Sequence, residues 1–183
     1  MEFTFDEYFP YEHHAARLPA DLRDGSESTR HRVLIAGGGP TGLALALGLA
    51  NHGVPSVVLE ADETVCTGSR AGAFTRRTLE ILERLGVIDE VMRTGHGWNT
   101  GWTYFRDREV FQLKMPHDAN QKYPPAISHL QNYIEQCMVE AAQRRKDLID
   151  LRWQSRLVNL QQTQEGVQAE VETPAGRYAL QAD

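Results

Sequence analysis

Apolar positions along the chain fall into short runs broken by glycine, proline or charge, and their period changes from one stretch to the next. Residues 32–37, RVLIAG, form an aliphatic run that stops at glycines, the pattern of a strand buried on both faces. A helix is predicted over residues 41–52, closed by Gly53 as a left-handed cap. Pro55 keeps the connection short before a second strand at residues 56–60. Leu79, Leu82, Leu85 and Ile88 recur at helical spacing, with Glu80 one turn before Arg84 and Gly86 as the interruption. Residues 98–113 are aromatic and partly alternating around a polar centre at 106–109, which predicts a β-hairpin.

A second amphipathic helix is predicted over residues 128–145, with Leu130, Ile134, Cys137 or Met138, and Ala141 on one face. The tail from residue 150 carries three alternating segments with turn signals at Glu165-Gly166 and Pro174-Ala175-Gly176, which predicts an antiparallel meander. Residues 1–30 show no sustained period and read as an N-terminal arm or linker, so the domain proper is drawn at 31–183. The predicted class is α/β: a Rossmann-like βαβ unit followed by a hairpin and a meander.

Composition narrows the class of function. A chain of 183 residues that is 41% hydrophobic and 24% charged is enough for one buried core. Its formal charge of -6 argues against a nucleic-acid partner, which usually meets a basic face. No apolar run approaches the roughly 20 residues of a membrane span, and the acidic, aromatic start MEFTFDEYFP lacks a signal peptide's pattern, so a cytoplasmic protein is expected. Cys66 and Cys137 are far apart and unpaired in spacing, and the seven histidines show no metal-ligand pattern, so neither a disulfide framework nor a metal site is expected.

The candidate chemistry sits where the first strand meets the first helix. Gly37, Gly39 and Gly42 stand between a strand and a helix, and Glu60 ends the next strand, the context that a dinucleotide-binding fingerprint requires. Gly37 makes the sharp turn, Gly39 admits a pyrophosphate to the backbone, and Gly42 lets the helix pack closely. With Pro40 and Thr41 completing the helix start, its free N–H groups and positive dipole end face the phosphates. Glu60 can accept hydrogen bonds from a ribose diol and would repel a 2′-phosphate. These residues alone do not distinguish FAD from NAD.

The run SRAGAFTRRTLEILERLGVIDEVMRTG after the second strand, the later HLQNYIEQCMVEAA and the closing meander, in that order, resemble the N-terminal portion of the group A FAD-dependent aromatic hydroxylases. Within that group the chain more narrowly resembles the 3-(3-hydroxyphenyl)propionate hydroxylase-like FAD-binding monooxygenases, from about Tyr8 to Asp183. The resemblance implies a p-hydroxybenzoate hydroxylase-like fold, here incomplete, with FAD as cofactor. It implies that Arg70 reaches the pyrophosphate, that Gln131 bonds the flavin nucleotide and that the backbone near Leu157 meets the adenosine part. For Gln131 the residues themselves leave a second role open, since Ser128 and Gln131 also fit an S-x-x-Q capping box. Residues 98–113 would enter a substrate-facing sheet, where Trp102, Tyr104 and Phe105 either line an aromatic pocket or belong to the core.

The mechanism the resemblance implies is reduction of FAD by NADPH or NADH, capture of dioxygen as a flavin hydroperoxide, and transfer of one oxygen to a small phenolic or aromatic substrate. The family's later Asp-Gly and Gly-Asp fingerprints would follow Asp183. The chain therefore reads as the N-terminal part of a longer flavoenzyme, inactive by itself, with no catalytic acid or base to assign; His129 and Tyr133 lie near the second helix start without a catalytic pattern. Two other functions share the glycines: an NAD-dependent dehydrogenase, and a non-catalytic FAD- or ADP-binding fragment.

Overall fold

The computed structural model describes residues 9–183. Residues 1–8 of the N-terminal arm, including Tyr8 where the resemblance starts, lie outside the described residues. In chain order the elements are β1 (Leu22–Arg23), β2 (Ser26–His31), β3 (Leu34–Ala36), α1 (Pro40–Asn51), β4 (Ser56–Leu59), β5 (Ala73–Thr75), α2 (Arg76–Leu85) and α3 (Ile88–Thr94). There follow β6 (His96–Trp98), β7 (Thr100–Phe105), β8 (Arg108–Lys114), β9 (Ala126–Ser128), α4 (Gln131–Gln143), β10 (Ile149–Arg152), β11 (Arg156–Thr163), β12 (Gly166–Thr173) and β13 (Gly176–Ala182).

The centre of the molecule is β4. It pairs in parallel with β3 on one side, Ile35 against Val58, and with β10 on the other, Leu151 against Val58. All four of its residues are buried, as the uninterrupted SVVL run requires. Alternation then assigns its side chains to two layers: Val58 joins the core formed with the helices, while Val57 and Leu59 join Val171, Tyr178 and Leu180 of the meander. Helix α1 buries Leu43, Ala46, Leu47 and Ala50, one stripe at i, i+3, i+4 and i+7, and ends just before Gly53 at φ +68. Gly86, at φ +78, separates α2 from α3 in the same way.

The predicted hairpin and meander form as read, β7 on β8 and β11 on β12 on β13, with turns at the expected positions. Two readings need correction. Residues 22–30 are not linker: β1 and β2 extend the meander in the order β1-β2-β13-β12-β11, with β2 parallel to β13. The SESTRH sequence hides this strand because polar side chains anchor it. Buried Glu27 receives Arg152 through two hydrogen bonds of 2.7 and 2.8 Å. Nor are Trp102, Tyr104 and Phe105 core: each is more than half exposed, on a hairpin that packs little against the described residues. The strands missed from sequence, β5, β6, β9 and β10, are three or four residues long, too short to show a period.

Candidate functional site

The turn from β3 into α1 shows why each glycine is there. Gly37, at φ +100, donates its N–H to Leu59 O at 2.7 Å, closing the turn onto β4. A Cβ on Gly42 would lie 1.9 Å from Gly37 O and 3.3 Å from Ile35 Cγ2, so the helix can start against this turn only without a side chain there. Gly39 behaves differently: a Cβ would meet nothing within 4 Å. It is the N-cap of α1, with Pro40 at the first helical position and no side-chain cap, so the N–H groups of the first turn, Thr41 and Gly42 among them, face an open space. That is a cradle for an anionic group brought close to backbone.

Glu60 is fixed beside it. Its Oε2 accepts Gly38 N–H at 2.6 Å and its Oε1 accepts Asp62 N–H at 2.9 Å. Its backbone N–H donates to Arg152 O at 2.8 Å, and its O accepts Ser155 N–H at 2.7 Å. The half-buried carboxylate is thereby held in one orientation, with lone pairs left on both oxygens for ligand hydroxyls. Gly38, which the fingerprint leaves free, is part of this arrangement: a Cβ there would come within 3.0 Å of Glu60 Cβ.

Residues 61–72 carry Arg70, and the start of α4 holds them. Cys66 N–H donates to Glu135 Oε2 at 2.7 Å, and Gln131 N–H donates to Ser69 Oγ at 3.0 Å. Gln131 is thus joined to the residue before Arg70, and its own amide reaches Glu135 Oε1 at 2.7 Å. The capping box does not form. Ser128 belongs to β9, the N-cap is Leu130, and Gln131 is the first helical residue rather than the third. Glu135, 1% exposed, was not singled out from sequence, although a carboxylate between Ile134 and Met138 on a buried helix face is the signal that could have found it. Burial, then the nearby Glu135 charge, pushes the Cys66 thiol up to about 12. Arg70 itself is exposed.

Leu157 is half-buried on β11, against the Val57 and Leu59 layer, two residues beyond the Ser155 that binds Glu60. An open cleft of about 510 Å3 lies here, lined by Ala61, Asp62, Gln154, Arg156 and Thr173 among others. A second cleft, of about 500 Å3, is lined by Gly72, Thr94, Ser128, His129, Leu130 and Tyr133. His129 Nδ1 accepts Leu130 N–H at 2.9 Å, so its proton sits on Nε2, 2.8 Å from Thr94 Oγ1. Burial lowers its pKa below the ordinary imidazole value. The cradle fits the diphosphate and ribose of a dinucleotide, and among the described residues no group of three or more His, Cys, Asp or Glu is placed to hold a metal ion.

The chain is 28% identical over 153 residues to para-nitrophenol 4-monooxygenase of Pseudomonas sp. (strain WBC-3), covering 82% of this chain and 38% of that protein. It is 25% identical over 150 residues to the 3-(3-hydroxy-phenyl)propionate/3-hydroxycinnamic acid hydroxylase of Mycolicibacterium smegmatis (strain ATCC 700084 / mc(2)155), covering 82% and 26%. Among solved structures, the flavin-dependent monooxygenase PieE in complex with FAD and substrate superposes with a TM-score of 0.74 at 27% identity, over 85% of this chain and 29% of that one. The chain thus spans well under half the length of these relatives. The sequence profile of the FAD binding domain family matches residues 30–183, and to that family the chain belongs.

Proposed function

We propose that this chain is the cofactor-binding part of a flavin-dependent monooxygenase that hydroxylates a small phenolic or other aromatic compound, with NADPH or NADH as reductant and dioxygen as oxidant. Bound FAD supplies the electron transfer and oxygen activation that no side chain can. The chain's own residues bind and orient it. Thr41 and Gly42 N–H groups, with Gly39 and Pro40 forming the open turn, donate to the pyrophosphate, and Gly37 shapes the approach. The Glu60 carboxylate accepts the adenosine ribose hydroxyls, Arg70 neutralises phosphate charge, Gln131 bonds the flavin nucleotide, and the backbone near Leu157 borders the adenosine. We take residues 22–183 as this unit, since β1 and β2 join the meander sheet, with 98–113 leading toward substrate, and place the protein in the cytoplasm, where reduced nicotinamide is supplied.

The observation that carries the reading is the pairing of an open, glycine-lined helix start with a carboxylate held by Gly38 and Asp62. The test is titration of residues 1–183 with ADP, FAD and NAD+, followed by assay of NADPH and NADH oxidation with a panel of phenols. ADP is expected to bind and FAD to compete with it, loosely, without hydroxylation by these residues alone. NAD+ displacing ADP while FAD does not would favour the dehydrogenase reading. Hydroxylation of a phenol coupled to NADPH by residues 1–183 would show that the rest of a full-length relative is dispensable. Full-length protein that binds FAD but turns over no phenol would leave a binding module only.

A further inference from the structure

The family match begins at residue 30, yet the residues before it are built into the site. Phe9 is 4% exposed, with the Tyr11 ring at 4.7 Å and the Tyr133 ring at 4.6 Å, both edge-on. His14 stacks on Trp153 at 4.4 Å, and its carbonyl accepts Gln154 Nε2 at 2.8 Å. From this anchored segment, polar groups reach across to the stretch that carries Arg70. His14 N–H donates to Glu63 O at 2.8 Å, His13 Nδ1 lies 2.9 Å from Glu63 Oε1, and Gly68 N–H donates to the Tyr11 hydroxyl at 2.9 Å. Asn132 Nδ2, on α4, donates to the same hydroxyl at 3.3 Å.

Residues 61–72 are therefore held from two directions. Helix α4 takes Cys66 and Ser69, as described above, and the N-terminal segment takes Glu63 and Gly68. Gly68 sits at φ +73, a left-handed turn two residues before Arg70, and the Tyr11 hydroxyl closes on it. We propose that residues 9–14 are a built-in brace for the phosphate-facing loop, with Tyr11 as the positioning residue that presets Arg70 through Gly68. The brace rests on the FAD-binding reading for its purpose but not for its mechanics. A loop ordered before the ligand arrives loses less conformational freedom on binding, and the ligand then binds more tightly with no contact of its own to the brace.

Tyr11→Phe is the discriminating variant, because it keeps the ring that packs on Phe9 and removes only the hydroxyl. Two measurements on the whole chain are required. In ligand-free protein, amide hydrogen exchange of residues 66–70 should rise in Tyr11→Phe while α1 and β4 keep the parent's protection. ADP affinity should fall about tenfold in Tyr11→Phe, a coupling ordinary for groups in one network, and should fall no further when the same change is made in an Arg70→Ala background. Unchanged exchange at residues 66–70 overturns the brace whatever ADP does. An equal loss of ADP affinity in both backgrounds, or none in either, overturns the route through Arg70. If the parent binds no ADP, the cofactor reading fails by itself, and the exchange measurement still decides whether Tyr11 orders the loop.

Discussion

At the scale of single residues, the glycines of the first turn are required for opposite reasons, and substitution should separate them. Gly42→Ala would place a Cβ 1.9 Å from backbone that cannot yield, so it should destabilise the fold by about 1–3 kcal/mol or more, read by urea unfolding. Gly39→Ala adds its methyl to open space at an ordinary φ of -74 and costs only the modest preference of an N-cap for glycine over alanine, so stability should fall less than in Gly42→Ala while ADP affinity drops, because on the proposed reading the methyl stands where the phosphate approaches. Equal stability losses in the two variants would contradict this division. Glu60→Ala should weaken ADP binding by the worth of charge-assisted hydrogen bonds, about 1.5–3 kcal/mol, measured by calorimetry. The turn made by the fingerprint glycines and the place of Glu60 beside it were legible because one βαβ unit contains them all. The contacts of Glu135 and Tyr11 were not: although Glu135 stands out on a buried helix face, the partners in the loop, Cys66 and Gly68, lie 69 and 57 residues away, and only the fold brings them together.

At the scale of elements, legibility followed length and local period. The helices with a buried stripe and the meander strands of seven or eight residues could be read directly, whereas three-residue strands such as β5, β6 and β9 exist because they pair with each other, Ser128 facing both Ala73 and His96. The same pairing displaced the start of α4. With Ser128 committed to β9, the helix begins three residues later, and Gln131 turns to Glu135 instead of capping. The β7–β8 hairpin was read correctly as an element, and of the two surroundings left open for its aromatics the core is excluded among the described residues, since periodicity shows which residues share a face but not what covers it. Trp102 and Phe111 are 53% and 58% exposed. Trp102→Lys and Phe111→Lys in residues 1–183 should therefore change the unfolding free energy by no more than about 0.5 kcal/mol while lowering the fluorescence of a bound apolar dye. A loss of several kcal/mol would show that the hairpin is packed in solution.

At the scale of the whole molecule, the parallel sheet and the five-stranded sheet share an apolar layer and one buried ionic tie. Arg152, on β10, bonds Glu27 of β2 through two nitrogens and reaches the Tyr178 hydroxyl of β13 at 3.2 Å, while His31 Nε2 meets Glu27 at 2.8 Å. Sequence reading missed this tie because it joins a stretch read as linker to a strand read as part of the tail. Burial alone would raise the Glu27 pKa, but the hydrogen bonds and charges of Arg152 and His31 outweigh it and hold the carboxyl at about 2, below its ordinary 4.5. A carboxyl depressed on folding adds stability that is complete above about 4.5 and disappears as the pH falls toward 2. Glu27→Leu should destabilise the protein at pH 7 by about 3–5 kcal/mol, because it strands the Arg152 guanidinium in the interior with only Asp150 and Tyr178. The gap between parent and variant should narrow as the pH is lowered through that window. Adding Arg152→Met to Glu27→Leu should recover most of the loss, since the pair as a whole contributes far less than either charge costs when left alone. Urea unfolding of the parent and both variants at pH 7 and pH 3 measures all three terms. A double variant as unstable as the single one would mean that the tie holds the two sheets in register through bonds that apolar packing cannot replace.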